Sequence, residues 1–239
     1  MTRDTLPVLV LLPGSLCDAE LWAAQARDLS DLANVITPSY GAADSVEAMA
    51  ESVLSAVPSQ RFAVAGFSLG GFVALELFRR APDRISGLCL TDTTARPDSP
   101  ETRERRLRNM ARFKTDPQTV VHEFAQMVMG PNTPDALAAA ILATMVRLAQ
   151  RDYLNHQRAM MLRPDARGIL GQVRCSSLVL CGGADGATPP ALHEEMAEAL
   201  VGSTSVVLSG VGHMTPLEAP EHVSAALRGW LANVTTAGK

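Results

Sequence analysis

Residues 61–81 read RFAVAGFSLGGFVALELFRRA, and this stretch decides the fold. An apolar run before Ser68 predicts a buried strand, and apolar residues at helical spacing after it predict a helix. A strand that turns into a helix over a single serine must bring the two backbones close together. Gly66 and Gly70 would allow that approach because they have no side chain. The alternative is an ordinary glycine-rich turn between a strand and a helix.

The rest of the chain repeats this alternation of strands and helices. Besides the strand before Ser68, short apolar runs predict strands over residues 6–12, 34–38, 85–91, 176–181 and 205–208. Amphipathic spacing predicts helices over residues 19–29, 46–57, 191–200 and 220–231, with Asp18 and Ser45 placed to cap the first two. Strands that alternate with helices are typical of an α/β protein with a doubly wound, mostly parallel sheet.

Residues 96–171 differ in texture from the rest of the chain, because they contain no strand-like run and have a helical composition interrupted by prolines. We predict a helical cap inserted after a strand, which divides the core domain into residues 1–95 and 172–239. Extra helices packed on a flank of the sheet are the alternative. Six of the ten methionines lie in this segment: Met110, Met127, Met129, Met145, Met160 and Met161. They suit either a packed core or an adaptable, apolar pocket roof.

Composition limits the classes of partner. The 239 residues are 47% hydrophobic, with a formal net charge of −4, which argues against nucleic acid as a main partner. The apolar run near the N-terminus is too short for a membrane span, so we expect no membrane partner. Four cysteines form no CxxC pair, so we expect a cytoplasmic protein with no structural metal and no cofactor.

Three residues with complementary chemistry follow the ends of predicted strands. Ser68, Asp185 and His213 occur in that order, with gaps of 117 and 28 residues. Open α/β sheets place their sites at the carboxyl ends of parallel strands. A serine hydroxyl becomes a useful nucleophile when a base takes its proton, and the base needs a third group to orient it. The chain therefore contains the components of a nucleophilic triad.

Taken together, these motifs resemble the α/β-hydrolase fold, in particular its single-domain esterases. The resemblance covers nearly the whole chain apart from the predicted cap. Four motifs carry it: LLPGSLCDAELW (residues 11–22), GFSLGG (66–71), GGADGATPP (182–190) and GVGHMTPLEAPE (210–221).

The resemblance implies a role for each of five residues. Ser68 would be the nucleophile, His213 the general base and then the general acid, and Asp185 the carboxylate that orients the histidine. The family stabilises the oxyanion with two backbone N–H groups, which would here belong to Ser15 and Leu69. Losing such a donor costs about 3–4 kcal/mol of transition-state stabilisation.

The chain departs from the family pattern in two places. The loop after the first strand begins Pro13-Gly14, where family members usually have His-Gly, so the backbone donor is kept and the contacts of that histidine are not. Family members also often carry an antiparallel hairpin before this strand. Because the chain starts almost directly with the strand, we expect about six strands.

Other residues are candidates for secondary roles. Asp92 also follows a predicted strand, where some family members place the acid, although a turn-capping role is the simpler interpretation. We expect the histidines on predicted helices to have packing or surface roles, with His156 the one to test for substrate contact. The residues expected to contact substrate are Leu16, Met127, Met145, His156 and Met214.

These observations predict a serine hydrolase that cleaves a carboxylic ester through an acyl-enzyme on Ser68. Residues 90–106, LTDTTARPDSPETRERR, resemble the corresponding part of the 3-oxoadipate enol-lactonases, so a lactonase is an alternative. The basic first helix of the predicted cap is by default a solvated face, and attraction of an anionic substrate or carrier is the other interpretation. A binding protein with slow turnover is a further alternative, since a fold does not determine a substrate.

Overall fold

Six strands form one sheet in the computed structural model, which describes residues 6–236. Their order across the sheet is β2-β1-β3-β4-β5-β6, and every described pair is parallel. The prediction of a mostly parallel sheet of about six strands is confirmed. Residues 1–5 and 237–239, which the predicted core domain includes, lie outside the described residues. The strands are β1 (Val8–Leu12), β2 (Asn34–Ile36), β3 (Phe62–Phe67), β4 (Ile85–Thr91), β5 (Ser176–Gly182) and β6 (Thr204–Leu208).

Helices cover both faces of the sheet, as a parallel sheet requires. All six residues of β3 are buried, and one hydrophobic cluster lies on each face. Helices α1 and α10 contribute to one cluster, and α2, α3 and α8 to the other. The helices are α1 (Ala23–Asp28), α2 (Val46–Ala56), α3 (Leu69–Arg80), α4 (Pro100–Phe113), α5 (Pro117–Val128), α6 (Asp135–Leu162), α7 (Arg167–Leu170), α8 (Pro190–Ala199), α9 (Thr215–Glu218) and α10 (Pro220–Thr236).

The predicted first helix divides in two. Residues Ala19–Trp22 form a 3-10 turn, which Asp18 caps by accepting a hydrogen bond from the backbone of Glu20, and α1 follows it. The break falls at Trp22, whose buried indole N–H donates to the carbonyl oxygen of Leu12 at 3.1 Å. This tertiary contact outweighs the helical periodicity of the sequence. Ser45 caps α2 as predicted, because its hydroxyl accepts from the third residue of the helix.

Helices α4 to α7 lie between β4 and β5, with no strand among them. We call them the inserted helices. A buried ion network joins them to the sheet domain. The carboxylate of Asp98 lies 2.6 Å from Arg106 and 2.6 Å from Arg163, and the guanidinium of Arg163 lies 4.1 Å above the ring of Phe72 on α3. Burial acts to raise the pKa of Asp98, but the two arginines outweigh it and hold the pKa below its ordinary value.

The parallel arrangement brings the carboxyl ends of the strands to one edge of the sheet, where the loops after β1, β3, β4 and β5 begin. Within residues 6–236, no helix is long and apolar enough to cross a lipid bilayer.

Candidate active site

Ser68 occupies a strained turn between β3 and α3. Its φ angle is +52° and its ψ angle −114°, a sparsely populated backbone conformation that costs a non-glycine residue about 1–3 kcal/mol. The neighbouring glycines permit the turn. A Cβ on Gly66 would lie 2.2 Å from the carbonyl oxygen of Gly70, and a Cβ on Gly70 would lie 2.4 Å from that of Leu12. Both contacts are with backbone, so any side chain would force the strand and the helix apart.

Hydrogen bonds hold this turn from the adjacent strand. The backbone N–H of Ser68 donates to the carbonyl of Thr91 at 2.9 Å, and its own carbonyl accepts from Gly71 and from the hydroxyl of Thr93. The N–H of Thr93 donates in turn to Nε2 of the buried His193 at 2.9 Å. Burial lowers the pKa of His193 to about 4, so the imidazole is neutral near pH 7 and Nε2 accepts the bond.

A chain of two hydrogen bonds joins the three candidate catalytic residues. Nε2 of His213 lies 3.0 Å from Oγ of Ser68, and Nδ1 lies 2.7 Å from Oδ2 of Asp185. The carboxylate can only accept, so Nδ1 carries the hydrogen and Nε2 of the neutral ring is left to accept from the serine hydroxyl. The structure therefore brings together the residues that the sequence predicts as nucleophile, base and acid.

Asp185 is held in the ionised form by its surroundings. One oxygen accepts from the backbone N–H groups of Ala187 and Thr188, each at 2.8 Å, and the other from the hydroxyl of Thr188 at 2.7 Å. Burial acts to raise the pKa of Asp185, but the bonds from His213 and Thr188 outweigh it and place the pKa below its ordinary value. The carboxylate is therefore charged at neutral pH and can stabilise an imidazolium.

The loop that carries His213 is held by a side chain that sequence analysis missed. The carboxylate of Glu218 accepts backbone hydrogen bonds from Gly212 at 2.8 Å and Met214 at 3.2 Å, on either side of the histidine. It also accepts from Gly130, in the loop between α5 and α6, at 3.2 Å. The available signal was its place five residues after the histidine, in the motif at residues 210–221.

Asp92, the alternative acid, is fully buried close to the triad and points elsewhere. Its oxygens accept from the backbone N–H of Gly182 at 2.9 Å and from the hydroxyl of Thr215. Within residues 6–236 no hydrogen bond joins it to His213. Burial, and then the charge of Asp185, raise the pKa of Asp92 well above its ordinary value, which favours a protonated, neutral carboxyl.

Asp92, together with Asp185 and His213 of the triad, forms the strongest candidate group of metal ligands in the described part of the chain. Potential ligand atoms of Asp92, Asp185 and His213 lie within 4.8 Å of one another. Each already takes part in the hydrogen bonds described above, and a metal ion would have to replace them. We therefore assign this cluster to the hydrogen-bonded site.

The predicted oxyanion donors belong to the loop after β1 and to the residue that follows the nucleophile in the chain. The backbone N–H groups of Ser15 and Leu69 donate to no acceptor within residues 6–236, so both are available to a ligand. Gly14 lets the loop pass close to β3, because a Cβ there would lie 2.7 Å from the ring of Phe67 and 3.2 Å from Cβ of Ser68. Leu69 begins α3, and the dipole of that helix adds to the attraction for a negative charge.

The loop after β1 contains a second strained residue. Leu16 has a φ angle of +55° and is fully buried, and its N–H donates to Nδ1 of His156 on α6 at 3.2 Å. The hydroxyl of Ser15 lies 3.5 Å from the same nitrogen. Tyr40 donates to the carbonyl of Pro13 at 2.9 Å and makes an edge-to-face contact with the ring of His156. Two distant side chains therefore hold this loop.

A cavity of about 180 Å³ lies beside this loop and the residue after His213. Asp18 and Glu20 lie at its rim, where Arg147 pairs with Asp18 at 2.7 Å and with Glu20 at 3.8 Å. Its wall is mostly apolar and includes three of the predicted substrate contacts, which are Leu16, Met145 and Met214, together with Leu137, Ile141 and Leu217.

The other two predicted contacts lie outside this cavity. Met127 is 39% exposed and borders a surface groove beside the arginines of α4. His156 borders a second cavity of about 210 Å³, together with Tyr40 and Arg151. Burial lowers the pKa of His156 to about 4, so the imidazole that holds the loop is neutral near pH 7.

The fold and the arrangement at the strand ends are those of an α/β hydrolase. A model of the alpha/beta hydrolase family matches residues 9–227, and the chain belongs to that family. The resemblance stated from the sequence motifs is confirmed.

Similar proteins include named esterases. A pimeloyl-[acyl-carrier protein] methyl ester esterase from Neisseria meningitidis serogroup A is 31% identical over 197 residues, which cover 79% of this chain and 62% of that relative, less than two thirds of its length. The structure of a thermophilic esterase from Thermogutta terrifontis has a TM-score of 0.85 and 31% identity, and covers 96% of this chain and 90% of its own. Both of these proteins carry the name of an esterase.

A lactonase shares the fold. The enol-lactonase from Burkholderia xenovorans LB400 has a TM-score of 0.85 and 22% identity, and covers 97% of this chain and 94% of its own. At this identity the likeness concerns the fold alone, and it does not separate a lactonase from an esterase.

Proposed function

We propose that this chain hydrolyses a carboxylic ester through a covalent acyl-enzyme on Ser68. The observation that supports it best is the continuous hydrogen-bond chain from Oγ of Ser68 through His213 to the ionised Asp185. A serine held in this way has a base for its proton and a carboxylate that stabilises the base once it is charged.

Acylation begins with attack of Oγ of Ser68 on the ester carbonyl carbon. Nε2 of His213 takes the hydroxyl proton as the new C–O bond forms, and the N–H groups of Ser15 and Leu69 stabilise the oxyanion of the tetrahedral intermediate. Nε2 then gives its proton to the leaving alkoxide as the bond to the alcohol breaks. The products of this half-reaction are the free alcohol and an ester of Ser68.

Deacylation repeats the sequence with water. Nε2 of His213 takes a proton from water, whose oxygen attacks the acyl carbonyl, and the same two N–H groups stabilise the second oxyanion. The bond to Ser68 then breaks, and the proton on Nε2 returns to Oγ. Asp185 stays ionised throughout, because its role is to orient and stabilise the imidazolium.

The inserted helices, in residues 96–171, act in this proposal as a cap over the site. Met145 of α6 reaches the same cavity as Leu16 and Met214, which flank the oxyanion loop and His213. An apolar cavity of about 180 Å³ suits a short to medium apolar substituent of the substrate.

The test is covalent labelling with a fluorophosphonate, followed by peptide mass spectrometry and steady-state hydrolysis of p-nitrophenyl butyrate. Labelling is expected at Ser68 and absent in Ser68→Ala. Asp185→Asn keeps the shape but removes the charge that stabilises the correct tautomer, so kcat should fall by about 10⁴-fold. The exposed His122→Gln serves as the control that changes a histidine away from the site.

Two outcomes would contradict this function. A folded wild-type protein that is not labelled would exclude an activated serine. A burst of one equivalent of p-nitrophenol from the ester, with no steady turnover of either the ester or small lactones, would indicate a slow-turnover binding protein. Steady turnover of lactones alone would favour the lactonase alternative over the esterase.

A second candidate substrate is an ester on an acyl chain that an acidic carrier protein presents. The similar meningococcal protein is named for such a substrate, and one feature of this chain favours it. Arg103, Arg105 and Lys114 of α4 and its C-terminus are exposed and form no ion pair within residues 6–236. They lie on the inserted helices, as the sequence interpretation of an anion-attracting face requires.

The comparison that tests this candidate uses one methyl ester with and without an acyl carrier protein. Charge reversal in Arg103→Glu/Arg105→Glu should raise KM for the carrier-linked ester by about tenfold and leave the free ester unchanged. Arg61→Glu, an exposed arginine on another surface, is the matched control. Equal KM values for both esters in the wild-type protein would rule out carrier recognition at this face.

A further inference from the structure

The loop after β1 makes a tight turn, closed by the N–H of Cys17 on the carbonyl of Gly14 at 3.3 Å, and the third residue of that turn is strained. Leu16 is held at a φ angle of +55° without being glycine. Pro13, at the start of the loop, has neither a backbone N–H nor a polar side chain to hold it. Ser15, between them, supplies a proposed oxyanion donor. The direction of that N–H therefore depends on whatever fixes the peptide on either side of it.

The contact that fixes the peptide after Ser15 comes from the inserted helices. His156, in the last two turns of α6, is 5% exposed, and its Nδ1 lies 3.2 Å from the backbone nitrogen of Leu16. The hydroxyl of Ser15 lies 3.5 Å from the same atom. Tyr40 packs edge-to-face on the imidazole and binds the carbonyl of Pro13. The histidine thus contacts the side chain of the residue that carries the proposed oxyanion donor and the peptide that follows it.

The chemistry of this contact fixes the state of the ring. A backbone N–H can only donate, so Nδ1 of His156 must accept and carries no hydrogen. The single hydrogen of the neutral imidazole is then on Nε2. The imidazole ring borders the second cavity, which Arg151 also lines. Burial keeps the imidazole neutral near pH 7. His156 is therefore in the one tautomer that can hold Leu16.

We propose that His156 is a positioning residue, which fixes the backbone of Leu16 through Nδ1 and so directs the N–H of Ser15 toward the oxyanion. This inference rests on the proposed ester hydrolysis at Ser68. It gives His156 a role other than the substrate contact expected from the sequence. It also supplies, from about 140 residues away, support that the Pro13-Gly14 start of the loop does not provide.

The experiment compares three substitutions that differ in where they place an acceptor. His156→Asn puts an amide oxygen close to the position of Nδ1, His156→Gln puts it near Nε2, and His156→Ala removes it. With p-nitrophenyl butyrate, Ala and Gln should lower kcat by about 10- to 100-fold with KM within about threefold of wild type. Asn should recover most of kcat. The affinity for a trifluoromethyl ketone, which forms a tetrahedral oxyanion on serine, should fall in parallel with kcat/KM.

Asn155→Ala is the matched control, because Asn155 is the preceding residue of α6 and donates to the carbonyl of Ala42 without touching the loop. The kcat of Asn155→Ala should equal that of the wild type even if its melting temperature falls as far as those of the His156 variants. If kcat follows melting temperature across all variants, or if Asn is no better than Gln, or if only KM changes, positioning is excluded. An inactive wild-type protein would instead contradict ester hydrolysis itself.

Discussion

Two left-handed residues flank the proposed oxyanion site, and the protein holds them in different ways. Ser68, at φ +52°, is held by its own neighbourhood, where Gly66 and Gly70 let strand and helix meet. Leu16, at φ +55°, lies in a turn closed by the N–H of Cys17 on the carbonyl of Gly14, and its own N–H donates to His156, 140 residues away. The first turn depends on its glycines and on the neighbouring strands, whereas the second is also held by a helix outside the sheet.

The difference shows where each half of the site is vulnerable. Substitutions next to Ser68 should break its turn. The loop at Leu16 can also be disturbed from α6, a helix that carries no residue of the triad. The following predictions separate these two kinds of support, beginning with the largest effect.

Gly70→Ala should break the turn at Ser68. Its Cβ would lie 2.4 Å from the carbonyl of Leu12, and backbone cannot move aside as a flexible side chain can. We expect a loss of about 3 kcal/mol or more in the free energy of unfolding, and about 100-fold in kcat for the variant that still folds. Gly168→Ala is the control, since a Cβ there meets nothing within 4 Å. Equal stability of the two variants in urea unfolding would refute the steric argument.

Two buried histidines, His193 beside the turn at Ser68 and His156 beside the loop at Leu16, should make the fold sensitive to acid. Burial lowers the pKa of His193 and of His156 to about 4, so below about pH 6.5 the unfolded chain binds protons that the folded chain does not. Stability should therefore fall as the pH drops from 6.5 toward 4, by about 3 kcal/mol at pH 4 for each histidine.

His193→Gln tests this on the side of the serine turn. The amide oxygen can still accept from Thr93, and the side chain no longer titrates, so the variant should lose less stability between pH 6.5 and pH 4 than wild type. Urea unfolding across that range measures the difference. The exposed His122→Gln should follow the wild-type curve, and a parallel curve for His193→Gln would disprove the assignment.

Glu218→Gln addresses the loop of His213, which is also held from outside itself. The carboxylate accepts three backbone N–H groups, and an amide would turn its NH2 group toward at least one of them. We expect a loss of about 2 kcal/mol in stability and about tenfold in kcat. The exposed Glu198→Gln should change neither quantity. A Gln variant with full activity would show that the loop holds its shape unaided.

The smallest effect concerns the strain at Leu16. Leu16→Ala and Leu16→Gly both lose the buried side chain, but glycine tolerates the positive φ angle. The Gly variant should therefore be about 1 kcal/mol more stable than the Ala variant. In the exposed helical position Ala139, glycine should instead be about 1 kcal/mol less stable than alanine. Thermal unfolding of Leu16→Ala, Leu16→Gly, Ala139→Gly and the wild type shows whether glycine is more stable than alanine at position 16 and less stable at position 139.

The sequence predicted what depends on local pattern. The Gly-x-Ser-x-Gly turn, the parallel strands and the order of Ser68, Asp185 and His213 follow from apolar runs and short motifs that lie at strand ends. The cap boundaries and the pocket residues stay predictions. Met127 and Met145 have the same residue type and helical context in the sequence, yet Met145 borders the cavity and Met127 lies on the surface.

The sequence did not predict what depends on contacts between distant segments. Nothing near Glu218 indicates that its carboxylate meets Gly130, and nothing near His156 indicates that its ring meets Leu16. The break of the first helix at Trp22 has the same origin, since the indole binds a carbonyl on β1. Each of these contacts joins residues that only the folded chain brings together.

The inserted helices are tied to both catalytic loops, which bears on how such enzymes can diversify. His156 holds the loop after β1, while Gly130 shares Glu218 with the loop of His213, whose N–H also donates to the carbonyl of Val128 at 3.2 Å. The insertion is therefore not an interchangeable module. A chimera that exchanged it for the corresponding segment of another hydrolase would lose these contacts and alter turnover along with substrate choice.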